Sequence, residues 1–373
     1  MFVPLSRPDI STLEKRYVTE VLESGQLSFG PKLREFEQRC ASLAQKKYAA
    51  AVNSGTSALH LAVKILGLKE GDEVITTPYS FIASSNCLLY ERVKPVFIDI
   101  DEHTLNMDAE KLEDAITEKT KAILVVHVFG QPADMERIGR IAKKYQLKVI
   151  EDACEAIGAK WDGQPAGSFG DVSVFAFYPN KQITTGEGGV LMTDDEAGYR
   201  AACSYRNQGR SDSGNWLEHV RIGYNYRMSD LQAAVGLAQI ERLNELLERR
   251  ERAAERYKQY IREYEVEVDL PKVSARAHMS WFVFVVMLPE TANRQEVMRL
   301  LSENGIQTRP YFPSIHLQPA YRALFGYKPG DLPVCEKQSE RTLAIPFYPG
   351  IGEEEQKYVI RHLKKAVERS KSR

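Results

Sequence analysis

The chain has 373 residues, with 50 lysines and arginines against 51 aspartates and glutamates, a formal charge of −1. That balance excludes a dedicated basic binder of nucleic acid or membrane surface, while 43% hydrophobic and 27% charged residues suit a globular protein long enough for two domains. Cys40, Cys87, Cys154, Cys203 and Cys335 form no CxxC pair, so neither a disulfide scaffold nor a zinc ribbon is indicated.

The opening MFVPLSRPDI has no basic region followed by an apolar run, and no stretch of about 18 apolar residues occurs, so a cytoplasmic protein without a membrane span is expected. Ser11-Thr12-Leu13-Glu14 is a capping box that opens a helix with Leu13, Tyr17 and Val21 on one face. β-Branched runs follow at Glu73–Thr77, Pro95–Ile100, Ala122–Val128, Lys148–Asp152 and Val172–Phe177. Amphipathic segments lie between most of them, the alternation of parallel strands joined by crossover helices. Ser229-Asp230-Leu231-Gln232 opens a long linking helix over about 229–264, whose charge run Glu248–Arg256 reads as a solvated face laced with ion pairs. A strand-like run at Trp281–Met287, a helix over Asn293–Asn304 ended by Gly305, and a last helix from Glu353 describe a smaller α+β lobe. The expected division is a large α/β domain over 1–247 and a small one over 248–373.

No GxGxxG, GxxxxGK[ST], HExxH or GxSxG occurs, which removes the usual warrant for nucleotide-dependent oxidoreductases, P-loop enzymes, zincins and common hydrolases. Three segments fall instead where an α/β sheet presents ligands, at the carboxyl ends of its strands. Asn53-Ser54-Gly55-Thr56-Ser57-Ala58 precedes an apolar helical pattern, so its N–H groups and hydroxyls suit a phosphate, or simply a capped helix start. Val149-Ile150-Glu151-Asp152-Ala153 ends an apolar strand on carboxylates. Asp152 there can hold a heterocyclic nitrogen protonated, or cap a helix. The run Ser173–Gly189 leads from a strand into Lys181 and then into three glycines within four positions. A lysine partly desolvated beside aromatic residues can form a Schiff base with a carbonyl, although most lysines are solvated surface groups.

A phosphate cradle, an acidic strand end and a strand-end lysine are the three anchors of pyridoxal 5'-phosphate (PLP). With Gly25–Pro31, NSGTSALH at Asn53–His60, HVFGQPADM at His127–Met135, GYNYRMSDLQAA at Gly223–Ala234 and RPYFPSIHLQPAY at Arg309–Tyr321, the chain resembles the DegT/StrS-like sugar aminotransferases over nearly its whole length. The resemblance implies PLP fold type I, aspartate aminotransferase-like: a large domain with a mostly parallel sheet and a small C-terminal α+β domain. It implies that Lys181 forms the Schiff base, that Asp152 pairs with the pyridinium nitrogen, and that Gly55, Thr56 and Ser57 receive the phosphate. Phe81 is similar to the aromatic residue stacked on the ring, and Asn225 to the asparagine that reaches the phosphate of a neighbouring subunit, which implies a homodimer with shared sites. Arg227, Arg309, Tyr311 and His316 are the candidate substrate-side groups. No metal is implied.

The sequence departs from common family patterns at three positions. Ala176 stands where many relatives have a serine that touches the phosphate. Glu155 takes a place often held by glutamine or histidine near the ring oxygen, so it is either protonated or turned away. Gln208 replaces a frequent histidine. The reaction expected from the resemblance is transfer of an amino group from L-glutamate to a nucleotide-diphosphate keto sugar, with a 4-keto-6-deoxyhexose favoured. An aminocyclitol or 3-keto-sugar aminotransferase shares every cofactor residue. A sugar dehydratase of this fold carries histidine in place of the lysine, and a non-catalytic PLP-binding regulator would have no use for all three anchors.

Overall fold

The computed structural model describes residues 1–211, 215 and 217–371. Its strands are β1 (Tyr48–Val52), β2 (Glu73–Thr76), β3 (Lys94–Phe97), β4 (Thr120–Val126), β5 (Lys148–Asp152), β6 (Lys160–Trp161), β7 (Gln164–Pro165), β8 (Val172–Ala176), β9 (Gly189–Thr193), β10 (Ala277–His278), β11 (Phe284–Met287) and β12 (Thr342–Ile345). The main sheet has the order β1-β9-β8-β5-β4-β2-β3. β3, β2, β4, β5 and β8 are mutually parallel, whereas β9 runs antiparallel to both β8 and β1. The fold is α/β, and all five strand runs expected from the large-lobe sequence lie in this sheet.

Helices cover both faces. They are α1 (Thr12–Ser24), α2 (Pro31–Leu43), α3 (Gly55–Ile65), α4 (Ala83–Leu89), α5 (Met135–Tyr145), α6 (Glu196–Arg206), α7 (Asp230–Glu241), α8 (Leu243–Glu263), α9 (Arg294–Glu303), α10 (Pro319–Phe325), α11 (Pro333–Arg341) and α12 (Glu353–Ser370). β4 shows why its run is continuously apolar: Leu124 and Val126 enter the core that holds α3, while Ile123 and Val125 enter the one that holds Ile138 and Ile141 of α5. α5 itself is capped by Asp134 and ends on Lys143 and Lys144, which complement the helix dipole.

The expected long helix is two. Arg242 leaves helical geometry (φ −97°, ψ 3°) between α7 and α8, with its guanidinium held by Asp9 and Glu14. The strand expected from Trp281 starts at Phe284. Trp281 adopts a left-handed φ of 49°, and the carbonyls of Trp281 and Phe282 are taken by Arg250 instead of a neighbouring strand. β11 then pairs antiparallel with β12, and α9 and α12 pack together beside it. No helix among the described residues is long and apolar enough to cross a membrane.

The capping box at Ser11 carries a second duty. Burial pushes the Glu14 carboxyl up, but donors on Ser11, Gln239 and Arg242 more than reverse this and bring it to about 2. A carboxylate with a depressed folded-state pKa stabilises above its unfolded value of 4.5 and loses that contribution as pH falls towards 2. Glu14→Gln should therefore lower the melting temperature at pH 7 by about 3–6 °C. The gap to wild type should close across that acid window in a melting series, and a gap independent of pH would remove Glu14 from this role.

Candidate active site

Three strand ends meet at the carboxyl edge of the sheet. β1 runs into Asn53 and Ser54, and Ser54 caps α3 by accepting from the Ser57 N–H at 3.1 Å. The Ala58 N–H goes to the Ser54 carbonyl, so the first-turn N–H groups left facing outward are those of Gly55 and Thr56. The packing here is close. A Cβ added at Gly55 would lie 2.6 Å from Cβ of Ala176, and one at Gly189 would lie 2.4 Å from the Ser54 carbonyl oxygen. Glycine at both positions lets β8 and β9 abut the start of α3.

These ends open onto a cavity of about 520 Å³ lined by Ser54, Gly55, Thr56, Phe81, Ser84, Asp152, Cys154, Glu155, Ala176, Tyr178, Asn180, Lys181, Glu187, Phe282, Tyr311 and Phe312, among others. Asp152 closes β5 and is buried. Its Oδ2 accepts from the Ser84 hydroxyl at 2.7 Å and its Oδ1 from the Cys154 N–H at 3.2 Å. A turn, not a helix, follows it, so the helix-cap alternative falls away. Lys181 Nζ lies 3.4 Å from Glu155 Oε1 and 4.0 Å from the centre of the Phe282 ring. Glu155 is therefore not turned away: it faces the lysine and also accepts the Phe129 N–H at 2.9 Å. Burial raises its carboxyl above the ordinary range, with the Lys181 ammonium opposing the rise.

Of the residues singled out from sequence, Gly55, Thr56, Phe81, Asp152, Glu155, Lys181 and Tyr311 line this one cavity. Phe81 is 62% exposed, its ring open at the mouth. Tyr311 is pushed up to about 12 by burial, and its hydroxyl accepts from the Asn180 amide at 3.4 Å. Ser57 stands behind the cradle, with its hydroxyl donating to Asn53 at 2.7 Å. Four others do not reach the cavity of their own chain. Asn225 is exposed and pairs by backbone with Asn207. Arg227 is held by the side-chain oxygens of Asn207 and Gln208 at 2.9 and 2.7 Å. Arg309 is exposed, its guanidinium on the Thr308 carbonyl at 3.1 Å. His316 is fully buried with Nε2 3.0 Å from Glu336, so in this chain it braces the Gly330–Leu332 turn that Glu336 also caps.

Ser84, Cys154 and Phe282 escaped the sequence reading. Ser84 sits on a short helix three positions past Phe81 but belongs to no motif of its own, and Phe282 was hidden inside an apolar run. Asn180 and Glu187 were within quoted segments without assigned roles.

The residues present fit PLP. An anion-receiving helix start, a buried carboxylate and a lysine face one enclosed space of suitable size. The sequence profile of the DegT/DnrJ/EryC1/StrS aminotransferase family matches residues 8–364. The chain belongs to this family. It is similar to the GDP-perosamine synthase of Escherichia coli O157:H7, 37% identical over 359 residues that cover 96% of each chain. Among solved structures it resembles the PLP form of the sugar aminotransferase Spr1654 of Streptococcus pneumoniae (TM-score 0.94, 27% identity, all of both chains). It also resembles Helicobacter pylori PseC, an aminotransferase of pseudoaminic acid biosynthesis (TM-score 0.93, 28% identity, 99% of this chain and all of that one). As a member of the DegT/DnrJ/EryC1/StrS family the protein is a PLP-dependent aminotransferase of fold type I.

Proposed function

We propose that the protein transfers the amino group of L-glutamate to a nucleotide-diphosphate keto sugar, most specifically a 4-keto-6-deoxyhexose. The observation that carries this reading is the conjunction of the Lys181, Asp152 and Gly55–Thr56 triangle with a match of 37% identity, over 96% of each chain, to a GDP-perosamine synthase. PLP, when bound, supplies a carbonyl for the amine and an electron-withdrawing ring.

The chain does the rest. The start of α3 would hold the phosphate, with Asp152 at the ring nitrogen and Phe81 over the ring. Lys181 Nζ is the group that takes the proton from the substrate carbon and returns it on the other side of the transfer. Ser84 and the Cys154 N–H fix the Asp152 carboxylate, so that its charge is aimed and not free to rotate. Glu155, whose carboxyl burial raises above the ordinary range, would stand near the ring oxygen, where a protonated carboxyl avoids the repulsion that an ionised one would bring. Tyr311, Phe312 and Phe282 wall off water on the small-lobe side. With the lobes taken as 1–247 and 248–373, the proposed site draws on both, Phe282, Tyr311 and Phe312 coming from the second.

Among the described residues that line the cavity, Asp152, Glu155 and Glu187 are the acidic side chains, Lys181 is the basic one, and there is no arginine. A diphosphate therefore needs cations from outside this lining. Asn225 and Arg227 face away from their own cavity, and Ile222 beside them is 92% exposed. Both facts support a homodimer in which this segment serves the other subunit's site. Sedimentation of the holoenzyme at monomer mass would sink that arrangement.

The substrate is tested by incubating the holoenzyme with L-glutamate and a panel of GDP-, dTDP- and UDP-linked 4-keto-6-deoxy sugars, 3-keto sugars and keto-inositols, followed by mass spectrometry. An aminated 4-keto sugar is expected. Amination confined to 3-keto sugars or cyclitols would replace the sugar assignment while leaving the cofactor chemistry intact.

A further inference from the structure

The charge run on α8 departs furthest from its solvated reading at Arg250. Arg249 pairs with Asp9 and Glu245, Arg252 with Glu248 and Lys258 with Glu255, all on partly or fully exposed faces. Arg250 is 3% exposed and has no carboxylate partner among the described residues. Its Nη1 donates to the carbonyls of Trp281 and Phe282 at 3.2 and 3.1 Å, and its Nη2 to the carbonyl of Lys181 at 3.0 Å. Nε has no acceptor among the described residues, and the Phe347 ring lies 5.5 Å from the guanidinium carbon.

A buried cation without a counter-ion is costly, so its place needs a reason beyond filling space. The three carbonyls supply one, because they belong to the two segments that hold the reacting amine. One is the turn bearing Lys181 itself. The other ends in Phe282, whose ring packs against the Lys181 ammonium. A planar guanidinium spreads its donors over two terminal nitrogens in a fixed fork and so can bind both segments at a set separation, whereas an ammonium offers its donors from a single point.

We propose that Arg250 is a positioning residue for Lys181: from α8 it clamps the lysine's main chain and the Phe282 wall together, fixing Nζ against the cofactor cavity. Burial lowers the guanidinium to about 9, so it stays protonated at neutral pH and keeps its donors on the three carbonyls. The clamp rests on the reading of Lys181 as the cofactor-bearing residue.

The test compares wild-type, Arg250→Gln and Arg250→Lys holoenzymes. Arg250→Gln should keep the borohydride-fixed adduct on Lys181 but lower kcat by about 10- to 100-fold with KM for glutamate nearly unchanged. Arg250→Lys supplies donors from a single nitrogen without the planar fork and should not recover kcat. Wild-type kcat in Arg250→Gln, or a lowered melting temperature alone, would overturn the clamp. If Arg250→Gln fails to fold, an unchanged kcat in Arg250→Lys does the same. Absence of any adduct on Lys181 in wild type would instead strike the reading beneath.

Discussion

Lys181→Ala is expected to lower turnover by about 10⁴-fold or more while leaving the fold in place, since one group supplies both the covalent link and the proton transfer. The side chain contributes little to packing: its polar contact is the 3.4 Å approach to Glu155 and its apolar one the face of Phe282. Its removal strands a buried carboxyl, but Glu155 already holds its proton more tightly than usual and answers by holding it more tightly still. The melting temperature should therefore stay within a few degrees of wild type. The α3 start and Asp152 remain, so the cofactor should still bind, yet denaturation after borohydride should release all of it. Retention of a fixed adduct, or activity within tenfold of wild type, would take Lys181 out of the mechanism.

Asp152→Asn should be the second most damaging change, with kcat reduced about 10²- to 10³-fold, the scale found when one aimed electrostatic group is lost. An amide at this position still accepts from the Ser84 hydroxyl or the Cys154 N–H, so shape and most hydrogen bonding survive while the charge does not. Turnover and stability should separate: a large fall in kcat with a melting temperature lowered by only a few degrees. Parallel loss of both would recast Asp152 as a structural strand end.

Much of this was legible because parallel strands are buried on both faces and so announce themselves as β-branched runs, each ending where a ligand sits. β1 was not legible, since Tyr-Ala-Ala-Ala-Val reads poorly as a strand and gains its place only by pairing with β9. β9 and β12 were short apolar runs without period. In the site, Asp152 and Lys181 could be picked out by strand context, whereas Ser84 could not, because its partner lies 68 positions away. Arg250 was misread for a similar reason: a guanidinium that satisfies carbonyls leaves no complementary charge in the sequence to find. His316 shows the converse, a histidine in a substrate-like motif whose ring is spent on Glu336.

The reversed direction of β9 bears on the order in which the site assembles. Because β9 returns alongside β8, the lysine turn is a hairpin connection spanning only residues 177–188, closed by local pairing of Ala176 with Gly189. The phosphate end has to wait for β1 to find β9, with Val52 opposite Gly189 across 137 positions of chain. Loop-closure entropy costs more for the second pairing, which favours forming the nucleophile's scaffold before its anion cradle. A chain caught between them would display the lysine without the phosphate cradle, and PLP, which needs both, would stabilise the finished native state more than any such intermediate.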